Sequence, residues 1–232
     1  MTEQVVAAGG RRRAGGRTRL SRESIMACAQ ELAARPEVGT LSIRDLGREL
    51  GVDPSSIYRH FQNKNDLMTA LVEAQAVETL ARVDTDPARD WRDVLMDIAE
   101  VGLEIRLRYP VIGADAAAIV TESTDIIEAI LAAFSRAGLQ KDRLVEFYTL
   151  YASYVLSFSG SIARSRIEYG DEIADRAWAE DVRAASDATH PTASRHRERI
   201  LALGDVDVYR VGVRLILEAA AAAAAAARSE GA

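Results

Sequence analysis

Apolar positions recur at helical spacing along the chain, with no strand-like alternation, and the pattern predicts an all-α protein. Ile25, Cys28, Ala29, Leu32 and Ala33 fall at i, i+3, i+4, i+7 and i+8, one face of a first helix. Ser21 is its N-cap with Glu23 in the first turn, and Pro36 and Gly39 close it. Ser42 and Asp45 form a capping-box pattern flanked by Leu41 and Leu46 as a hydrophobic staple. A second helix is therefore expected over Ile43–Leu50, with Gly51 as its left-handed stop. Asp53 caps a third helix whose first turn holds Pro54, where a missing N–H costs nothing. Asn63 and Asp66 start a fourth through "KNDLMTALVEAQAVETL". Three short helices followed by a long one, with a three-residue turn between the second and third, make a helix-turn-helix layout.

Further on, "WRDVLMDIAEVGLEIRLRY" is amphipathic and is stopped by Pro110. "TESTDIIEAILAAFSRAG" carries its own caps, and 141–167 is a long segment rich in Tyr, Phe and Leu. The polar stretch from Glu168 to Pro191 is expected to hold a short helix around Trp178. The chain ends in "DVDVYRVGVRLILEAA" and alanines up to Ala227, a strong helix former with no packing information, expected to fray. The expected organisation is an arm at 1–19, a helix-turn-helix domain at 20–66, a larger helical domain at 67–227 and a disordered tail at 228–232.

Charge sharpens this division. The 232-residue chain has a formal net charge of −6, yet residues 1–70 hold 11 Lys and Arg against 8 Asp and Glu, and the remainder 18 against 27. A basic end on an acidic body fits contact with a polyanion at that end. The arm contributes Arg11, Arg12, Arg13, Arg17 and Arg19 among paired glycines, with almost nothing to bury, and reads as disordered. It is either a DNA-touching arm or a solvated tail. The single cysteine, Cys28, lies on the apolar face of the first helix and suits a reducing cytosol. No apolar run reaches membrane-spanning length and there is no signal-peptide core, so a cytoplasmic protein without a membrane partner is expected.

The third helix carries the candidate chemistry. At 100° per residue Ile57 and Phe61 share the buried face, while Ser55 and Arg59 point away from it, flanked by Ser56 and Tyr58, with His60 nearer the core edge. Small hydroxyls permit close approach to a major groove, Arg59 suits bidentate reading of guanine, and Tyr58 and His60 suit phosphates. Lys64, opening the fourth helix, adds charge beside free N–H groups. Residues 41–72, "LSIRDLGRELGVDPSSIYRHFQNKNDLMTALV", resemble the DNA-binding signature of the tetracycline-repressor (TetR) family: a capped helix, a Leu-Gly-Val turn, aliphatic-Tyr-x-His-Phe and Asn-Lys-x-x-Leu. Gly47 stands where that family commonly has Ala. The resemblance implies that Arg44, Ser55, Ser56 and Arg59 approach bases or nearby backbone, and that Tyr58, His60 and Lys64 hold phosphates. "DVDVYRVGVRLILEAA" is similar to the aromatic-x-x-Gly-aliphatic stretch in the last helix of the tetracycline repressor's own subgroup, without that pattern's later glycine.

The family implies a homodimer on a double-stranded operator, released when a small-molecule effector occupies the C-terminal domain. Tyr109, Tyr148, Tyr151 and Trp178 either line an apolar cavity or fill a bundle core or dimer seam. Asp115 and Glu122 either recognise a cationic effector or face water. The dimer seam is expected at 141–167 and 205–220, with Leu144, Tyr148, Tyr151, Val155, Phe158 and Ile162 as one apolar face, widened by Phe147 and Tyr154, so that this helix buries one side in its own domain and one in a partner. Val208, Gly212, Leu215 and Ile216 are expected to meet it from the last helix, Gly212 admitting a partner helix. Only His60, His190 and His196 are present and no His/Cys cluster has ligand spacing, so neither a metal nor a cofactor is expected. Against the rival reading as a helical enzyme, no Walker loop, dinucleotide fingerprint or nucleophile elbow occurs. Against a protein-interaction module, the chain keeps Tyr58, His60 and Lys64.

Overall fold

Eleven helices and no strand make up residues 20–35, 37–116, 123–170 and 177–230, the parts of the chain that the computed structural model describes. They are α1 (Arg22–Ala33), α2 (Ile43–Leu50), α3 (Pro54–Ile57), α4 (Lys64–Arg82), α5 (Trp91–Arg108), α6 (Pro110–Ala116), α7 (Thr124–Arg136), α8 (Lys141–Tyr169), α9 (Ala177–Ala184), α10 (Pro191–Ala202) and α11 (Asp205–Glu230). The basic arm and Glu122 lie outside the described residues.

The N-terminal helices begin where their side chains supply caps. The Ser21 hydroxyl accepts from Ser24 N–H while Ser24 Oγ accepts from Ser21 N–H, so Ser24 completes a capping box on α1. On α2, Ser42 Oγ accepts from Asp45 N–H at 3.1 Å and donates to the Asp45 carboxylate at 2.5 Å. That hydroxyl is the main reason the Asp45 carboxyl lies below its ordinary pKa. We expect Ser42→Ala to lower stability by ~1 kcal/mol, read from the midpoint of urea unfolding; an unchanged midpoint would show that Asp45 caps α2 without it. Gly51 ends α2 at φ 65°.

Two cores organise the chain. In the first, Ile25, Leu32, Leu41, Leu46, Ile57 and Phe61 pack with Leu67, Met68, Leu71 and Val72 of α4 and with Val111 and Ile112 of α6. The expected boundary at residue 66 therefore falls where α4 serves both halves: its first two turns close the N-terminal core, and its later turns join the second. The second core joins α5, α7, α8 and α11 around Phe134, Tyr151 and Tyr209. Tyr151 donates to the Leu95 carbonyl at 2.5 Å and Tyr209 to the Ala99 carbonyl at 2.9 Å, so two phenols from different helices anchor on successive turns of α5. Burial drives the Tyr209 phenol far above its ordinary pKa.

Three expectations change. The helices α6 and α10 were not anticipated after Pro110 and Pro191; each proline occupies the first turn of a new helix as well as stopping what precedes it. The alanine run does not fray: α11 continues to Glu230, beyond the expected limit of 227, with Ala220 and Ala224 fully buried. The apolar face expected to form the dimer seam on α8 is turned inward. Tyr151, Val155 and Ile162 are buried in the chain's own core, and Leu144, Phe147, Tyr148, Tyr154 and Phe158 pack against it. Gly212 likewise serves an intrachain crossing, because a Cβ there would overlap the Tyr154 hydroxyl of α8. Of the four residues expected on the last helix, Leu215 alone is exposed, with Ile216 in the core.

Candidate nucleic-acid interface

The turn between α2 and α3 is rigid by construction. Val52 N–H bonds to the Gly47 carbonyl at 2.9 Å, and a Cβ on Gly47 would stand 3.0 Å from the Val52 carbonyl oxygen and 3.3 Å from Pro54, so a methyl fits only with a small shift of the turn and anything larger is crowded. Asp53 Oδ1 accepts from Ser55 N–H at 2.8 Å and opens α3. The regular helix is shorter than expected, four residues, but one more helical turn follows: Phe61 N–H and His60 N–H both bond to the Ile57 carbonyl. The helical wheel therefore holds through Phe61. Ile57 and Phe61 are buried at 0% and 1% exposure, each contributing roughly 1.5–3 kcal/mol.

With that face inward, the other side is fixed. Ser55, Tyr58 and Arg59 are exposed, Tyr58 to 51%, while Ser56 and His60 are half-buried. Arg44 on α2 and Lys64 at the start of α4 are also exposed. Among the described residues no ion pair includes Arg44, Arg59 or Lys64, whereas Arg22, Arg35 and Arg48 nearby are paired with Asp66, Glu49 and Asp45. The free cations therefore lie on the surface that carries the small hydroxyls. Such a surface offers point charges for phosphates and a guanidinium with its donors open for a base edge.

One positioning residue escaped the sequence reading. Arg22 donates to the His60 carbonyl at 2.9 Å, reaches Asp66 at 3.5 Å and lies 4.1 Å over the Phe61 ring. Asp66 in turn accepts from Gln62 N–H at 2.9 Å while its own N–H is held by Asn63. The last turn before α4 is thereby tied to α1 and α4 together. The available signal was an arginine at the first position of α1, where the helix dipole disfavours a cation unless something else recruits it.

The residues expected to line an effector pocket are dispersed. Tyr109 packs against the N-terminal core with Arg108 6.0 Å from its ring. Tyr148 and Tyr151 sit in the C-terminal core, Tyr151 at 5.8 Å edge-to-face on Phe134. Asp115 lies 3.7 Å from Arg164, which donates to the Ala114 carbonyl at 3.0 Å, in a cleft of about 250 Å³ that also includes Thr40 and Val111. Trp178 falls in α9, but its side chain lies outside the described residues, as does Glu122. The four whose side chains are described, Tyr109, Asp115, Tyr148 and Tyr151, are divided between the two cores and do not form one site. No group of His, Cys, Asp and Glu among the described residues is arranged to hold a metal, and no described helix is long and apolar enough to cross a membrane.

Residues 25–71 match the family model described as bacterial regulatory proteins, tetR family. An HTH-type transcriptional repressor of Mycobacterium tuberculosis is 33% identical over 90 residues, 39% of this chain and 34% of the relative. The tetracycline repressor protein class G of Vibrio anguillarum is 34% identical over 82 residues, 35% of this chain and 39% of the relative. The chain thus matches little more than a third of the length of these curated relatives. Over nearly its whole length it shares a fold with two Streptomyces coelicolor proteins. The transcriptional regulator SCO7222, a TetR, has a TM-score of 0.69 at 20% identity, covering 88% of this chain and 98% of the other. The structure of ActR in complex with actinorhodin has a TM-score of 0.71 at 17% identity, covering 88% and 98%.

Proposed function

We propose that this chain, a member of the TetR family through the DNA-binding domain in residues 25–71, is a ligand-responsive transcriptional repressor that binds a palindromic operator as a homodimer in the cytoplasm. The observation that carries the reading is the set of three cations, Arg44, Arg59 and Lys64, unpaired among the described residues, around the exposed Ser55 and Tyr58, in a domain whose neighbouring arginines are paired. On this reading Arg44, Ser55, Ser56 and Arg59 approach bases, while Tyr58, His60 and Lys64 hold phosphates. The family is one of transcription factors rather than enzymes.

Small-molecule control of the second domain is supported by the shared fold with ActR, which has been seen with actinorhodin bound. Dimerisation is supported by the outer sides of α8 and α11. Leu150, Val211 and Leu215 are about half exposed there, and Ser153 and Ser157 on α8 leave room for a second copy to approach. Two recognition helices related by a two-fold axis then enter successive major grooves, roughly 34–36 Å apart or a multiple of that spacing.

The test separates base reading from phosphate holding. Arg59→Ala is expected to lose about 1–3 kcal/mol of discrimination at particular base pairs. Lys64→Ala is expected to weaken binding to all sequences and reduce the slope of log affinity against log salt by about 1 per site. Operator selection followed by salt-titrated gel shift measures both. An unchanged selected sequence and affinity for Arg59→Ala would remove Arg59 from base reading.

A further inference from the structure

The inward side of α4 is interrupted by two polar residues one turn apart. Gln75 is 3% exposed and Thr79 4%. The Thr79 hydroxyl is used within the helix, donating to the Gln75 carbonyl at 2.8 Å. The side-chain amide of Gln75 has no hydrogen-bond partner at either its nitrogen or its oxygen among the described residues. Buried amides without partners are uncommon in folded proteins, and each calls for something that uses it.

Across from this pair runs α5, antiparallel to α4. Its register is set by the pairs Glu78–Arg108, at 2.9 Å, and Arg82–Glu104, at 2.5 Å. Gly102 lies beside Thr79, and the Arg106 side chain reaches back along α5 to the same level, one turn from Gln75. A Cβ on Gly102 would stand 2.8 Å from Arg106 Nη1 and 4.0 Å from Thr79 Oγ1, so the absence of a side chain at 102 makes room for the guanidinium beside α4. The arginine's backbone is held from the other side, where Gly113 of α6 approaches its carbonyl too closely for any side chain. Ala76, Leu80, Ala99 and Leu103 surround the cluster with apolar surface.

We propose that Gln75 and Arg106 form the polar end of the effector site and recognise a carboxylate with a neighbouring hydroxyl on an otherwise apolar molecule. The guanidinium and the amide N–H donate to the carboxylate, and the amide oxygen accepts from the hydroxyl, which uses both poles of Gln75. The inference rests on the ligand-responsive reading above and adds to it the chemical class of the effector. It also reverses the expectation of a cationic effector read by Asp115 and Glu122.

The test uses the full-length chain and two matched probes, 3-hydroxy-2-naphthoate and its neutral amide, 3-hydroxy-2-naphthamide, titrated by calorimetry. The acid is expected to bind roughly tenfold or more tightly than the amide. Arg106→Gln is expected to abolish that preference, and Arg106→Lys to keep part of it. Gln75→Met, close in volume, is expected to raise the unliganded melting temperature while weakening both probes, and it carries the test if the arginine variants do not fold. Equal binding of the two probes, binding of neither, or an acid preference that survives Arg106→Gln overturns the proposal. A Gln75→Met variant with an altered melting temperature and unaltered probe binding assigns the amide to an internal water alone and also overturns it. Operator gel shifts distinguish the two readings. Release by the neutral amide without acid preference leaves ligand control standing and removes acid recognition. Acid-selective binding that never alters operator affinity supports the site and counts against ligand control.

Discussion

Leu215→Arg is expected to convert the proposed dimer to a monomer and to lower operator affinity on the order of 10²- to 10⁴-fold, while leaving the helical content unchanged. Leu215 is 57% exposed and Val211, one turn earlier on the same side of α11, is 43% exposed, so neither supports the core of its own chain. In the proposed dimer Leu215 and Val211 lie within the contact between the two copies. A cation placed in that contact would be desolvated without a partner, which is unfavourable. Each recognition unit keeps its own phosphate and base contacts, but the second contact no longer follows from the first. Sedimentation equilibrium at micromolar concentration reads the assembly, and a gel shift on full and half operators reads the affinity. A variant that remains dimeric, or a monomer that keeps full operator affinity, would refute this seam.

Gly212→Val is expected to act beside that face, about 60° around α11 from Leu215, and to destabilise the chain itself. Tyr154 of α8 lies across residue 212, donating to the Val208 carbonyl at 3.1 Å and stacking on Tyr209 with ring centroids 6.0 Å apart. Any Cβ at 212 collides with the Tyr154 hydroxyl and Cζ. The phenol must then leave, giving up its hydrogen bond and its contacts with Phe158 and Tyr209. The expected loss is roughly 3 kcal/mol or more, a fall in melting temperature on the order of 10 °C. Pairing it with Tyr154→Ala should recover part of the loss, because the truncated residue no longer needs the space. A Gly212→Val protein with wild-type melting temperature would show that Tyr154 relocates at no cost.

The helix-turn-helix region was legible because its signals are local. Ser42, Gly51, Asp53, Pro54 and Asn63 each act within one turn of themselves, and the structure places each in its expected role. The second domain was less so, since what decides it is supplied by distant chain. A tyrosine facing a cavity and one bonded to a buried carbonyl have the same spacing, and Leu95 and Ala99 are what settle Tyr151 and Tyr209. Gly212 was correctly read as a close approach, but sequence cannot say whether the approaching helix belongs to the same chain. Gln75 and Thr79 were visible as polar residues where α4 turns apolar side chains inward. Gly102 and the Arg106 side chain come beside Thr79 only once α5 folds back.

The alanine run has a consequence for how the end of α11 is encoded. Nine consecutive alanines, 219–227, precede Arg228, whose Nη1 donates to the Ala137 carbonyl at 3.3 Å beside Gly138, itself at φ 100°. Lengthening the run by one alanine leaves a methyl at both buried positions, 220 and 224, so the packing there does not register the insertion. The arginine, however, advances by about 1.5 Å and 100° around the helix and loses the carbonyl. A homopolymer carries no internal frame, and here the count of its units is written in a single place, the bearing of the first residue after it.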